Sequence, residues 1–460
     1  MTKKRQAVVI IHGIGEQRPM DTLRGFVDAV WTRDASVQHP QAQKFADHPV
    51  WSKPDGVSPG FELRRLSTPK NRAGIETDFF EFYWAHMLSE TSYAHVGAWA
   101  AKLVMRGPGS VPAPLRSVHA LAWLALLLSS AFAVLTGVLG VWPAPVSPGW
   151  VALAAGVTLV PLARFVTLKI VGDAARYLHV APANIQCRHA IRAAGVELVE
   201  ALHGRVRRDG KTPEYDRIVM VGHSLGSVIA YDILTHAWPH FHKEHDPDAT
   251  TMTALDELEG LAALAPPAAA ETVQPVQRRY CSELKENGCR WRVTDLVTLG
   301  SPLTYAALLL ARDARELAER QDLRELPRCL PMLERQQRDG KVVRRFSYEQ
   351  GRRGKNAYRV PHHAAVFGPT RWTNLFFPAR WLVWGDLVGG PLASVMGAQV
   401  RDVPVSTTRW GGLLSHTLYW DTAAASAAGH LEPLRKALDL CDDGRAPAAA
   451  PRPDDEDEQA

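Results

Sequence analysis

Five apolar residues in a row, Ala7-Val8-Val9-Ile10-Ile11, follow a short basic start and end at His12-Gly13-Ile14-Gly15. A run this short, without polar alternation, predicts a strand buried on both faces of a parallel sheet. The pattern returns at 216–221 and at 295–299, and 372–377 predicts a further strand. Beyond Val221 the spacing changes. Ser227-Val228-Ile229-Ala230-Tyr231-Asp232-Ile233-Leu234 carries the apolar period of a helix.

A different pattern occupies the stretch from Ser117 to Ala163, which has no Asp, Glu, Lys or Arg. A bilayer crossing takes roughly 20 apolar residues in a helix. Two such lengths, 118–141 and 150–168, flank a segment broken by Pro143, Pro145 and Pro148, with Trp142 and Trp150 at interfacial positions. The expectation is a two-helix transmembrane hairpin over 117–171. Arg106 and Arg116 precede it and Arg164, Lys169 and Arg176 follow it, so the positive-inside rule puts both flanks in the cytoplasm. The expected location is an integral membrane protein with its catalytic domain facing inward, in the inner membrane if the source is bacterial.

Composition narrows the classes without choosing among them. The chain has 460 residues and a formal net charge of +5, too mild for its size to argue for a nucleic-acid partner. Cys187, Cys281, Cys289, Cys329 and Cys441 form no CxxC pair, and their loose spacing suits reduced thiols. The five apolar residues before His12 are too few for a signal-peptide core. Residues 444–460, ending in Asp454, Asp455, Glu456, Asp457 and Glu458, read as a disordered acidic tail.

The chemistry enters where the second strand pattern meets the helix. Gly222-His223-Ser224-Leu225-Gly226 lies between them, and strand, GxSxG and helix in that order make a nucleophile elbow. Ser224 is the candidate nucleophile. The Leu225 N–H and donors at Gly13 and Ile14 are the candidate oxyanion hole. Ser301, in Gly300-Ser301-Pro302, lacks the second glycine and reads as a turn residue.

A serine nucleophile needs a histidine and an orienting carboxylate, in the chain order Ser, acid, His for this fold. His416 follows every strand candidate and is the candidate base, with His362 and His363 as alternatives. Asp386, in a glycine-rich loop, is the candidate acid, ahead of Asp402 and Asp421. His240, His242 and His245 are too loosely spaced for a metal site. Neither metal nor cofactor is expected. The fold class expected is α/β, an α/β-hydrolase fold with a mostly parallel central sheet flanked by helices. The catalytic domain spans 1–105 and 172–440, interrupted by the membrane hairpin.

Five blocks in sequence, HGIG, GHSLGSVIAYDIL, LGSPL, WTNLFFP with GDLVGGPL, and SHTLYW, resemble the intracellular DDHD-domain phospholipases. These blocks cover about a third of the chain. The resemblance implies a serine lipase or esterase of the α/β-hydrolase superfamily that releases an acyl chain from glycerophospholipids. It places Ser224 as nucleophile, Asp386 at the family's Asp-Pro-Val position and His416 before its Tyr-Trp pair. Leu387 stands where the family has proline, and the apolar hairpin is an addition.

Two long insertions remain. Residues 236–291 bear Leu255, Leu258, Leu261 and Leu264 on one helical face and predict a helical cap over the site or a surface helix packed on the domain. Residues 306–360 are basic, a solvated face or a segment that meets lipid head groups. The function expected is hydrolysis of carboxylic esters of lipids by a membrane-anchored enzyme. The alternatives are a thioesterase or deacylase of lipid-modified proteins, and an inert hydrolase-like scaffold.

Overall fold

The computed structural model describes residues 4–13, 18–39, 48–57, 64–87, 120, 123, 127, 177, 182–246, 252–338, 340–350, 358–379, 385–406, 412–423 and 427–444. Among the described residues twelve strands run in chain order. They are β1 (Lys4–Ile11), β2 (Trp51–Pro54), β3 (Arg64–Ser67), β4 (Ile75–Phe82), β5 (Arg217–His223), β6 (Val293–Leu299), β7 (Glu334–Arg338), β8 (Lys341–Arg345), β9 (Ser347–Gln350), β10 (Tyr358–Pro361), β11 (Arg371–Phe376) and β12 (Arg401–Pro404). Eight of them form one sheet in the order β12-β11-β6-β5-β1-β4-β3-β2, while β7 pairs with β8 and β9 with β10.

From β4 to β12 every pairing in the large sheet is parallel, and β3 and β2 close one edge antiparallel. The architecture is therefore α/β around a mixed sheet. The apolar runs explain the centre. Ala7 to Ile11 and Ile218 to Val221 have no exposed surface, because both faces of these strands are covered. On one face Val8, Ile10, Val219, Val221, Val297 and Leu299 pack with Leu23 and Phe26 of the helix Asp21–Val27 and with Leu431, Leu434 and Leu438 of the helix Ala427–Leu438.

Charge is buried at the amino-terminal ends of the strands. Asp295 accepts from Arg217 Nη2 at 2.6 Å and from Arg371 Nη2 at 2.8 Å. Burial alone would raise its pKa, but the two guanidinium groups outweigh it and hold the carboxyl well below the usual range. Arg217 also donates to the carbonyls of Leu438 and Asp439, tying the C-terminal helix to the sheet.

Two expectations are corrected and a third is refined. Among the described residues no helix is long and apolar enough to cross a membrane, so the transmembrane hairpin and the integral-membrane location are withdrawn. The longest described helix, Pro182–Gly204, has the length but carries Arg188, Arg192, Glu197 and Glu200, charges that a hydrocarbon core does not tolerate. Apart from Ala120, Trp123 and Leu127, the segment 117–171 lies outside the described residues. The acidic tail beyond Gly444 does too.

The second correction concerns the cap. The helix that bears Leu255 and Leu258, Thr253–Ala262, is tied to the helix Ala270–Glu286, whose Glu283 accepts from the Ala254 and Leu255 N–H groups. Ala270–Glu286 in turn bonds through Gln274 to the carbonyl of Trp372 and through Arg278 to Asp439 and Asp442, at the amino-terminal end of the sheet. The pair therefore lies on its flank and does not roof the carboxyl ends. The third concerns the basic insertion. Arg359 is buried against Glu259 at 2.9 Å and Arg345 approaches the same carboxylate at 3.6 Å, so part of its charge joins the first insertion internally.

Contacts divide the chain into two compact units. Met1–Gly13, Gln17–Trp84 and Ala190–Ala460 make the unit that holds the sheet, and Ile14–Glu16 with Ala85–His189 make the other. Everything below belongs to the first.

Candidate active site

Four parallel strands deliver chemistry from their carboxyl ends. Gly13 follows β1, Ser224 follows β5, Gly300 follows β6, and Asp386 lies in the loop beyond β11. His416, on the short helical turn Gly412–Thr417, follows β12. The crevice outside the carboxyl ends, where the chain reverses its order across a parallel sheet, is the usual ligand site of such folds, and here the reversal falls between β1 and β5.

Ser224 takes φ 52° and ψ −128°, a left-handed conformation that a residue with a side chain adopts only under constraint. The constraint is visible. Its N–H donates to the Leu299 carbonyl at 2.9 Å, and its own carbonyl accepts from the Ser227 N–H at 3.0 Å and the Ser227 hydroxyl at 2.6 Å. Ser227 spends its one hydroxyl proton there, so the Ser301 hydroxyl, 2.7 Å away, donates to Ser227. Ser301 also accepts from the Leu303 N–H. It is a buried support for the elbow.

Glycines let the parts close up. A Cβ at Gly226 would fall 2.2 Å from the Ile11 carbonyl oxygen, and one at Gly222 would fall 2.5 Å from Ser227 Cα. Strand β5, its helix and β1 therefore meet backbone to backbone. A Cβ at Gly13 would sit 2.8 Å from Ser224 Cβ, which places the end of β1 beside the nucleophile. Leu225 is the first residue of the helix Leu225–Ala237, where a backbone N–H has no acceptor within the helix. Ile14 lies outside the described residues.

The acid and the base are in contact. His416 Nδ1 lies 2.8 Å from Asp386 Oδ2. An ionised carboxylate only accepts, so Nδ1 carries the proton and Nε2 presents its lone pair. Nε2 is buried and has no hydrogen-bond partner. The Tyr419 hydroxyl donates to the same Oδ2 at 2.8 Å, and the Val388 N–H donates to Oδ1 at 2.8 Å. Burial works to raise the pKa of Asp386, but His416, the Gly389 N–H and Tyr419 together bring it below the ordinary value. The carboxylate stays ionised.

The other candidates are engaged elsewhere. Asp402 accepts from Asn374 Nδ2 at 2.7 Å and from the N–H groups of Leu392 and Ala393, bracing β11 to the loop before β12. Asp421 accepts from the Ala423 N–H in a turn. His362 is buried with both ring nitrogens used, by Met332 O and Ala364 N, and burial pulls its pKa down to about 3. His240 pairs with Glu200, His242 with the Pro239 carbonyl, and His245 stacks on Tyr358. Among the described residues no group of His, Cys, Asp and Glu could hold a metal ion.

Three contributors escaped the sequence reading. Tyr419 stands in the SHTLYW block, but nothing in its spacing shows that its hydroxyl reaches Asp386. His223 stands at a variable position of GxSxG that the motif leaves unmarked, yet its Nε2 lies 2.8 Å from the His416 carbonyl oxygen. Gly300, at φ 57°, has the space of its missing side chain filled by Asp386 Oδ2, Tyr419 and His416 Nδ1. One signal was available for Gly300: a glycine at the end of a buried strand often marks a close approach.

A fourth group lies at the carboxyl end of β4. Glu81 Oε2 accepts from the Met20 N–H at 2.6 Å, while Oε1 is buried without a partner. Burial, with a smaller push from Asp21, raises its pKa to about 7.

Comparison with known proteins adds no relative: no family model, curated protein or solved structure matches the chain.

Proposed function

We propose that this chain is a serine hydrolase that cleaves carboxylic esters through an acyl-enzyme at Ser224. One observation carries the reading. A serine held at positive φ on a strand-to-helix turn shares the carboxyl edge of the sheet with a histidine whose outer nitrogen is unpaired and whose inner nitrogen faces a buried carboxylate. Neither the strain at Ser224 nor the buried bare nitrogen helps the fold, and both suit nucleophilic catalysis.

In this reading Ser224 Oγ attacks the ester carbonyl and passes its proton to His416 Nε2. The tetrahedral oxyanion is met by the Leu225 N–H and by donors at the Gly13 turn. His416 then hands the proton to the departing alkoxide, which leaves as an alcohol. Water, deprotonated by the same imidazole, releases the acid and restores the serine. Asp386 remains ionised throughout, holding the tautomer and stabilising the imidazolium.

For the acyl donor we propose a lipid ester. The support is the resemblance of the GHSLGS, GDLVGG and SHTLYW blocks to the DDHD-domain phospholipases. The test uses the purified full chain with a fluorophosphonate probe and a panel of phospholipids, monoacyl esters and acyl thioesters. Labelling at Ser224, and ester turnover that Ser224→Ala abolishes, are expected. Undiminished turnover in Ser224→Ala would overturn the reading. A chain that labels but prefers thioesters would keep the serine and discard the lipid ester.

A further inference from the structure

We infer that His223, the residue before the nucleophile, is a positioning residue that clamps the loop of His416 to the nucleophile elbow. The inference rests on the serine-hydrolase reading and adds a fourth side chain to it.

The hydrogen bond sets the tautomer. A backbone carbonyl can only accept, so the 2.8 Å contact between His223 Nε2 and the His416 oxygen requires the proton on Nε2. His223 Nδ1 is then a bare lone pair, buried and without a partner, 3.2 Å from where a Cβ would stand on Gly13. The charged form is disfavoured at this position. Burial is the main cause, the His416 and His12 rings add to it, and the pKa falls to about 3, against the smaller opposing pulls of the bond to the His416 carbonyl and of Asp386. The ring is neutral at any pH where the base could work, so the N–H···O=C bond does not switch.

The packing fixes the ring in place. Trp420 meets it edge-on with centroids 4.8 Å apart, Tyr419 lies at 5.7 Å, and the His416 ring lies at 5.0 Å. The titratable groups facing it are His416 and Tyr419 from the base loop, Asp386 from the acid loop and His12 from the end of β1.

The clamp solves a mechanical problem. The base arrives on a short loop far along the chain from the elbow, and on the acid side Asp386 holds that loop twice, through His416 Nδ1 and the Tyr419 hydroxyl. His223 holds it from the nucleophile side. Because His223 and Ser224 are adjacent, a bond from one to the backbone of His416 fixes the base against the other through one peptide unit. A misplacement of about 1 Å at such a site can cost about 100-fold in rate.

Three substitutions separate the clamp from mere packing. In His223→Gln the side-chain Nε2 stands the same number of bonds from the backbone as the imidazole Nε2, and it still donates. In His223→Asn the donor moves back to the position of Nδ1, and in His223→Phe the ring survives without a donor. The expected result is a kcat for Gln within about threefold of the parent. Asn and Phe should lose about 10- to 100-fold with KM within about threefold, and the rate of fluorophosphonate labelling at Ser224 should fall in step. A Phe variant as fast as the parent, or a Gln variant as slow as Phe, would overturn the assignment. Failure of the parent chain itself to label would instead remove the serine-hydrolase reading and the clamp with it, so the two failures are distinct.

Discussion

His416 Nδ1 and Asp386 Oδ2 lie 2.8 Å apart, brought together from the ends of two adjacent parallel strands, β12 and β11. The carboxylate has one role that an amide cannot fill. It accepts from Nδ1 and leaves Nε2 bare. Asp386→Asn can present an N–H to Nδ1, which favours the opposite tautomer. On this basis kcat for ester hydrolysis falls about 1,000- to 10,000-fold, with KM nearly unchanged. Steady-state kinetics on a soluble ester checks it, and a loss under tenfold would remove Asp386 from the role.

The strain at Ser224 has a measurable counterpart in stability. Glycine tolerates φ 52° without a Cβ penalty, whereas alanine keeps the penalty. Ser224→Gly and Ser224→Ala should both be inactive, but the glycine variant should be more stable than the alanine variant by about 1 kcal/mol. Paired urea denaturation of the two measures the difference, and equal midpoints would mean that the turn is not strained.

Glu81 gives the protein a pH dependence of its own. Its folded-state pKa of about 7 lies above that of an exposed glutamate, so the native state binds the extra proton between roughly pH 4.5 and pH 7. The contribution of this group is therefore full below that window and is lost as the pH rises through it. At 1.36 kcal/mol per unit the loss is at most about 3 kcal/mol. Stability of the parent minus that of Glu81→Gln, measured from pH 4.5 to pH 8, should decline across the window. A flat difference would show that the acid is solvated or paired.

Asp295 makes the opposite kind of prediction, because it lies at the amino-terminal ends of the strands. Asp295→Asn leaves Arg217 and Arg371 facing each other without the carboxylate that joins them. Breaking a buried ion pair from one side costs about 3–5 kcal/mol. The folded fraction of the variant should keep parental kcat and KM below its melting transition. A change in kcat larger than in stability would mean that the two edges of the sheet are coupled.

Much of this arrangement was legible in the sequence, and the exceptions share a cause. Strands β1 and β5 declared themselves because strands covered on both faces carry unbroken apolar runs, Ala7 to Ile11 and Ile218 to Val221. Strands β6 and β11 kept enough apolar positions around buried polar residues such as Asp295 and Asn374 to be read. Ser224, Asp386 and His416 followed from motif and order, and the structure brings these three to one edge. Strands β2 and β3 were invisible. Trp51–Pro54 is wholly exposed, so no apolar period marks it. The helix Thr253–Ala262 showed the spacing of Leu255, Leu258 and Leu261 but not what that face would cover. Apolarity records that a segment avoids water, without recording which surface excludes the water. Tyr419 and His223 were missed because each acts through a single atom, on a partner that only the folded chain supplies.

Gly300 and Gly389 leave one more trace. A Cβ on Gly389 would stand 2.5 Å from the Cα of Gly300 and 2.8 Å from Asp386 Oδ2. At these two glycines the loop bearing the acid meets the end of β6 main chain to main chain, and the Tyr305 hydroxyl, donating to the Leu387 carbonyl, fastens it from the side. The separation between the strand end and the carboxylate is a matter of covalent dimensions, which no exchange of neighbouring core residues can alter. A neighbouring loop of another length or composition could be carried beside this contact without moving the carboxylate from its station.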